Sequence, residues 1–515
     1  MAGDLGQVIE LAARAAEKAS DAKLRTRLAH VRGSAYFAQG SLRDAHAVLT
    51  AAAAADDDPA RAFWMLMEAT HAAWQLPLDQ DLLARTVDAF GALNLPGDHP
   101  LISLVWLLRW CTAMAIGRGT AGFEPLAGVM TRAGTAGRSD GPRGLTAVAA
   151  CALVTGRDTV AAEITQSLIA DSRDRGIMAW LPAGLTYLGT AEMCLGEHRD
   201  AVVHCAEALR AAQDTGQHKW VNHASGPLAY LAAQQGDERR CREHARTAMA
   251  PLAADLAQPA VAWAQAALAV LELARGRPEE ALSLLDSLIN SPARFQVGAM
   301  RSAPDHVEAA VRSGHPERSA GPLERFATWA AQMGQPWADA LVARCRALTA
   351  PDDRAEEHYE SALKSHEAEV RPFDRARTQL LYGEWLRRAR RKTEAAAQLR
   401  SASATFSSLG ANPWNGRART ELLATGVAVP EARPPEPFAV LTPQEFQAIQ
   451  LAARGMSNRD IAAQLFLSTR TVAYHLYKAY PKLGIAGRSE IPPLLADAGV
   501  SVDAAKESSH QYGCR

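Results

Sequence analysis

The sequence predicts an all-α protein: a long, irregular stack of helical hairpins followed by a small helical module at the C-terminal end. Three observations predict it. Residues 1 to about 427 favour helix nearly throughout and show no strand-like alternation. Apolar helical runs there end in glycines at recurring spacing, most clearly Gly196, Gly236 and Gly276, forty residues apart. From Leu441 to Ile485, LTPQEFQAIQLAARGMSNRDIAAQLFLSTRTVAYHLYKAYPKLGI reads helix, turn, helix, turn, helix, with stop and start signals at each joint.

In the long region, Leu185, Leu188 and Gly189 precede Gly196, and Ala201 and Ala208 follow it. The order is large residues, a glycine turn, then small residues where a second helix packs closely. Gly33, Tyr36, Gly40, Ala45, Leu49 and Ala52 repeat it at the same offsets. Gly276, Ala281 and Leu285 repeat it with Pro278 at the start of the second helix. Gly314 with Pro316 marks a further copy, and Gly383, Ala395, Leu399 and Ala402 one more. The pattern resembles the tetratricopeptide repeat. A lone hairpin cannot bury its apolar face, so such units stack into a curved superhelix. Residues 1–427 are therefore expected to form an irregular tetratricopeptide-like α-solenoid of about ten to twelve hairpins.

Residues 428–440 carry prolines at 430, 434, 435 and 437, which block helix and favour a semi-rigid tether. In the module, Thr442-Pro443-Gln444-Glu445 is a capping box with proline at the first helical position, where no amide is left unpaired. Ala448, Ile449, Ala452 and Met456 form an apolar stripe, and Gly455 closes that helix. Ser457 caps a second helix, with Asp460 three residues on and Ile461 and Leu465 facing inward. Ser468 caps a third, where Val472, Leu476, Ala479 and Leu483 recur at helical spacing. The opposite face carries Ala473, Tyr474, Tyr477, Lys478 and Pro481. Pro481 is expected to tilt or end that helix. Pro492-Pro493 fall early in a fourth helix, where proline is tolerated. Phe446 lies off the stripe and is expected to dock on the solenoid. Residues 501–515 are polar and expected to fray.

Leu441, Thr442, Glu445, Gly455, Ser457, Asn458, Ile461, Ala462, Leu465, Ser468, Thr471, Val472, His475, Leu476, Tyr480, Lys482, Leu483, Gly484, Arg488 and Glu490 carry a resemblance. With them, residues 441–500 resemble a LuxR-type helix-turn-helix of four helices. The resemblance implies double-stranded DNA as partner, with inverted-repeat operators bound by a dimer. It implies base contacts from Ala473, Tyr474 and Tyr477 in the major groove. It implies phosphate contacts from Asn458, Arg459, Ser468, Arg470, Thr471, Lys478 and Lys482. His475 fits packing and DNA contact equally, and Leu494 and Leu495 fall on the expected pairing surface. Residues 373–426, with Tyr382, Gly383, Glu384, Trp385, Leu386, Gly410, Pro413, Trp414 and Glu421, resemble the stretch before this module in large LuxR regulators of the MalT type. Those relatives open with an ATPase domain. This chain has no Gly-Lys dipeptide, and the run GRGTAG from Gly117 lacks the lysine of a phosphate loop. No nucleotide switch and no cofactor are expected. A helix opening near Met1 favours a short form over a C-terminal piece.

Composition narrows the function classes. A net charge of −1 means that DNA affinity must come from a local surface. Residues 441–500 hold six bases (Arg454, Arg459, Arg470, Lys478, Lys482, Arg488) against four acids (Glu445, Asp460, Glu490, Asp497), a net of +2. The cysteines Cys111, Cys151, Cys194, Cys205, Cys241, Cys345 and Cys514 form no C-x-x-C pair and read as buried free thiols. The N-terminus has no basic start followed by an apolar core, so it does not read as a secretory signal. The run from Leu101 is broken by Arg109 and reads as a buried helix rather than a membrane span. No H-E-x-x-H or G-x-S-x-G is present, so no enzyme and no metal site are expected. Asp56-Asp57-Asp58 reads as a loop and helix cap. The basic run Arg387 to Lys392 reads as a repeat turn. Trp64, Trp74, Trp106, Trp110, Trp180, Trp220 and Trp263 read as core. The sequence thus predicts a cytoplasmic, nucleoid-associated transcriptional regulator, more an activator than a repressor. Its solenoid is expected to sense a ligand or protein, with RNA polymerase a candidate partner. The alternative is an interaction scaffold whose module adds little specific DNA binding.

Overall fold

The computed structural model describes residues 5–76, 80–115, 120, 123–139, 141–250, 259–369, 371–427, 438–453, 455–465 and 468–497. The linker prolines, the GRGTAG run apart from Thr120, Arg454, Cys514 and the tail lie outside them, as do the side chains of Asp460, Leu465 and Leu495. The chain divides into two compact units, Met1–Gly426 and Val427–Arg515. Among the described residues the regular elements are all helical. No described helix is long and apolar enough to cross a membrane.

The first unit holds twenty-three α-helices between Leu5 and Ala424 among the described residues, paired as antiparallel hairpins. The fold is a tetratricopeptide-like α-solenoid. Many helices start where sequence chemistry permits. Asp21, Asp58 and Asp237 accept amides of the first turn, and Pro59, Pro142, Pro278, Pro336 and Pro372 occupy first turns, where no amide is required. The glycine rhythm is finer than the forty-residue repeat of the sequence reading. Left-handed turns close at Gly156, Gly176, Gly196, Gly216 and Gly236, one every twenty residues, so both turns of each hairpin use glycine. Within hairpins, a Cβ at Gly33 or Gly383 would meet Leu49 or Leu399 at 2.6 Å, and one at Gly189 would meet Cys205. The partner is sixteen residues on in each case, and the turn residue seven on: Gly40, Gly196 and, in the last copy, Arg390 at φ 63°.

The solenoid folds back on itself. Asn412-Pro413-Trp414, Arg371-Pro372-Phe373 and Gln335-Pro336-Trp337 open three late helices with buried aromatic rings. They dock on three earlier glycine turns. Gly196 faces Pro372, where a Cβ would stand 2.6 Å from Cδ, and Gly236 faces Pro413 in the same way. Trp337 Nε1 donates to Gly156 O at 2.9 Å. Close approach of these proline and tryptophan rings, together with the left-handed φ, explains why these turns carry no side chain. The seam also holds buried charge. Asp158 accepts from Arg301 and Arg371, each at 2.6 Å. Both guanidiniums lie over Trp337, at 4.5 and 4.3 Å from its ring centroid. Burial alone would raise the Asp158 pKa, but the two arginines outweigh it and hold the carboxyl below its usual value. Farther along, Arg377 pairs with Asp305 and Glu308, and Arg417 joins Glu308 at 2.9 Å to Glu384 at 2.6 Å.

Other expectations find their places here. Asp58 caps the helix Pro59–Gln75 while Asp56 pairs with Arg61 at 2.6 Å. Two arginines of the basic run are paired, Arg387 with Glu421 and Arg391 with Glu356, both at 2.5 Å. Trp64, Trp110 and Trp263 are buried, whereas Trp74, Trp106, Trp180 and Trp220 are only partly covered. Cys111, Cys151, Cys205, Cys241 and Cys345 are buried free thiols, and burial pushes Cys241 and Cys345 up to about 12.

The second unit has four α-helices among the described residues: Pro443–Ala453, Asn458–Leu465, Thr469–Leu483 and Ile491–Asp497. Its core gathers Leu441, Ala448, Ile449, Ile461, Val472, Leu476, Ala479, Leu483 and Ile491 around Phe438. Phe446 packs partly on this core, with its ring 5.6 Å from that of Phe438, which precedes the first helix.

Candidate nucleic-acid interface

The third helix of the small unit, Thr469–Leu483, owes its orientation to two caps and one apolar face. Ser468 stands before it in extended conformation and accepts the Thr471 amide at 3.0 Å, and the two hydroxyls bond each other at 2.7 Å. Val472, Leu476, Ala479 and Leu483 are buried. That burial turns the opposite face outward: Tyr474 is 57% exposed and Tyr477 71%, and Ala473 is exposed beside Tyr474. Large aromatic rings left this open are uncommon on a surface without a partner. Arg470 and Lys478 are exposed beside them, and the Lys478 ammonium lies 5.8 Å from the Tyr474 ring centroid. Arg459 is exposed on the second helix. His475 is half-buried, its ring 6.1 Å from Tyr474.

The supporting helices are tied by polar contacts. The capping box is reciprocal: the Thr442 amide donates to Glu445 Oε2 at 2.8 Å and the Glu445 amide to Thr442 Oγ1 at 3.4 Å. Glu445 also receives Lys482 Nζ at 2.6 Å. This departs from the sequence expectation, which left Lys482 free for a phosphate. The two ends meet because the first and third helices pack face to face, and a cap carboxylate that is 7% exposed needs a cation. Burial raises the Glu445 pKa, but the bond from Lys482 and the cap amides outweigh it and hold it below the usual value.

Asn458 is partly engaged as well. Its Oδ1 accepts Arg488 Nη1 at 3.0 Å, leaving its amide nitrogen to donate elsewhere. Arg488 Nη2 reaches the carbonyls of Met456 and Ala452, so this arginine braces the turn around Gly455, whose φ is 80°. Sequence reasoning counted Arg488 among the resembling positions without a role. A basic residue five positions past the third helix is the signal, but its partners are thirty residues away. The third helix runs past Pro481 for two residues, to Leu483, and closes on Gly484 at φ 67°. So near the C-terminal end, a proline removes one amide from the exposed side and little else. Leu494 packs partly against the unit's own core.

Comparisons with known proteins agree with this geometry. Residues 439–492 match the family described as bacterial regulatory proteins, luxR family. Over 59 residues the chain is 46% identical to a protein of Mycobacterium bovis named as an HTH-type transcriptional regulator, covering 12% of this chain and 7% of that one. Over 56 residues it is 36% identical to the oxygen regulatory protein NreC of Staphylococcus aureus, covering 11% and 26%. The chain thus spans less than a tenth of the length of the mycobacterial relative. Among solved structures, it is similar to the APC/C hetero-tetramer Cut9-Hcn1, with TM-score 0.46 and 16% identity over 80% of this chain and 75% of that one. It is also similar to a Rap protein complexed with competence and sporulation factor, with TM-score 0.33 and 9% identity over 78% and 97%. Neither structural likeness carries functional weight.

Proposed function

We propose, from the premise that residues 439–492 form a luxR-family helix-turn-helix module, that this protein is a sequence-specific DNA-binding transcriptional regulator. One observation carries the reading. The third helix buries one face completely and leaves Tyr474 and Tyr477 standing in water beside Arg470 and Lys478. In the major groove, Ala473 and the tyrosine rings meet thymine methyls, and the tyrosine hydroxyls bond base edges. Asn458, Arg459, Ser468, Arg470, Thr471 and Lys478 serve the phosphates on either side. Lys482, 37% exposed, shares its ammonium between Glu445 and a phosphate. The module works as a dimer on inverted half-sites and activates transcription, and the solenoid senses a small molecule or protein.

The test is genome-wide mapping of DNA occupancy in the source cell, with the wild-type chain and with Tyr474→Ala and Tyr477→Ala. The expected result is a defined inverted-repeat motif that the variants blur. An unchanged motif in both variants overturns the assignment of the reading face. Absence of any enriched motif favours the scaffold reading.

A further inference from the structure

Lys219 sits in the helix His218–Gln235, and its ammonium points back about 180 residues in sequence. Its Nζ lies 4.2 Å from the centroid of Phe37, in the helix Ala22–Gln39, and 5.6 Å from that of Trp220. The Phe37 ring is 5.1 Å from His71, and Trp220 lies 5.1 Å from His223 and 5.4 Å from Tyr187. Two separate stretches of solenoid therefore bring three nitrogen bases and three aromatic rings to one place. No hydrogen bond or ion pair is formed by the Lys219 side chain among the described residues. His223 is 6% exposed, and its Nε2 is buried without a partner. The acid whose charge acts on Lys219 is Glu68, and it is engaged elsewhere: it accepts Ser34 Oγ at 2.6 Å and faces His30 and Arg143, each at 3.6 Å.

Burial draws the Lys219 pKa down to about 7, against a weak pull from Glu68 in the other direction. Burial and the neighbouring lysine hold His223 at about 3, and burial, Lys219 and His223 depress His71 well below its usual value. A half-buried ammonium that faces only rings gains less from them than it loses with its water. The place lacks a negative charge. Phosphate, partly dianionic near neutral pH, brings more charge toward Glu68 than a carboxylate does, and the surrounding rings favour an apolar body.

We propose that Lys219, His71 and His223 form a binding site for a small carboxylate, its charge received by Lys219 and its apolar part packed on Phe37, Trp220 and Tyr187. The site rests on the sensing role proposed for the solenoid and gives that role a ligand class. Binding requires the protonated lysine, so it draws in a proton near neutral pH and weakens as pH rises.

The test is calorimetric titration of the full chain with benzoate, inorganic phosphate and benzylamine, without DNA, in buffers of different ionisation heat. The expected result is benzoate binding at pH 6.5 with proton uptake near pH 7, affinity falling about tenfold per pH unit above it, and no benzylamine binding. Lys219→Met is expected to abolish binding. Lys219→Arg is expected to keep it and lose the fall with pH, since guanidinium stays charged. Four outcomes overturn the site: no benzoate binding, phosphate bound in its place, undiminished binding by Lys219→Met, or a pH fall persisting in Lys219→Arg. Should Lys219→Met fail to fold, Lys219→Arg and the wild-type proton uptake decide. None of these outcomes bears on the DNA-reading face, whose test uses other residues and another readout.

Discussion

The solenoid and the small module solve opposite problems with charge and aromatic surface. The solenoid takes both out of water. Arg377 and Asp305 lie within 2–3% exposure, and Trp337 and Trp414 are buried at its seam. The module does the reverse on its third helix, keeping two tyrosines and two cations in solvent over a core of small and branched residues. A long stack of similar hairpins has many nearly equivalent ways to curl. Buried charges that must find specific partners penalise the wrong ones. The module also pairs a buried carboxylate, Glu445 with Lys482, but a short chain around one core has fewer alternatives to exclude. What it leaves exposed is therefore the better guide to function.

Five experiments break or sharpen this contrast. The largest effect is expected at the seam. Arg377→Met strands Asp305 as a buried unpaired acid, leaves Glu308 only Arg417 and Arg312, and should cost about 3–5 kcal/mol in urea denaturation of the full chain. A loss below about 1 kcal/mol would show that the network is not structural. Next, Gly236→Ala places a Cβ against Pro413 at φ 80° and should destabilise by about 2 kcal/mol. Gly410→Ala, at φ 69° with open space around it, should lose less. In the module, Tyr474→Ala and Tyr477→Ala should leave the melting temperature within about 1 °C, a change inside about 0.5 kcal/mol. They should cost about 1–3 kcal/mol in discrimination between operator and mismatched DNA, read by competition binding.

A smaller effect concerns pH. The Glu445 pKa is lowered by folding, so its contribution is present above the ordinary value near 4.5 and is lost as pH falls through the lowered one. Module unfolding followed by tyrosine fluorescence should show that loss, and Glu445→Gln should remove it. The smallest effect has the opposite sign. Arg390 holds a left-handed turn that glycine fills at Gly40 and Gly196, so Arg390→Gly should stabilise by about 0.5–1 kcal/mol in thermal melts.

Much of the module was legible in the chain because its signals are local. A capping box, a serine cap and a four-residue apolar step each act within one or two turns, and each appears where the residues place it. The contacts made by Lys482, Arg488 and Phe446 were not legible. Their partners Glu445, Asn458 and Phe438 are remote in sequence or outside the helical stripe. In the solenoid, the glycine turns were visible but their second use was not. Nothing near Gly236 announces that Pro413 will press on it.

Sequence alone determined that this protein is helical throughout its two regions, where hairpins turn, and which face of the third module helix meets water. These follow from short-range hydrogen bonding and periodicity, which adjacent residues settle among themselves. The tertiary structure decided which hairpins touch across the solenoid, which charges pair there, and that Lys219 meets Phe37 with no ion pair among the described residues. Those depend on how small twists accumulate over some 180 residues, a sum that no local window of sequence contains.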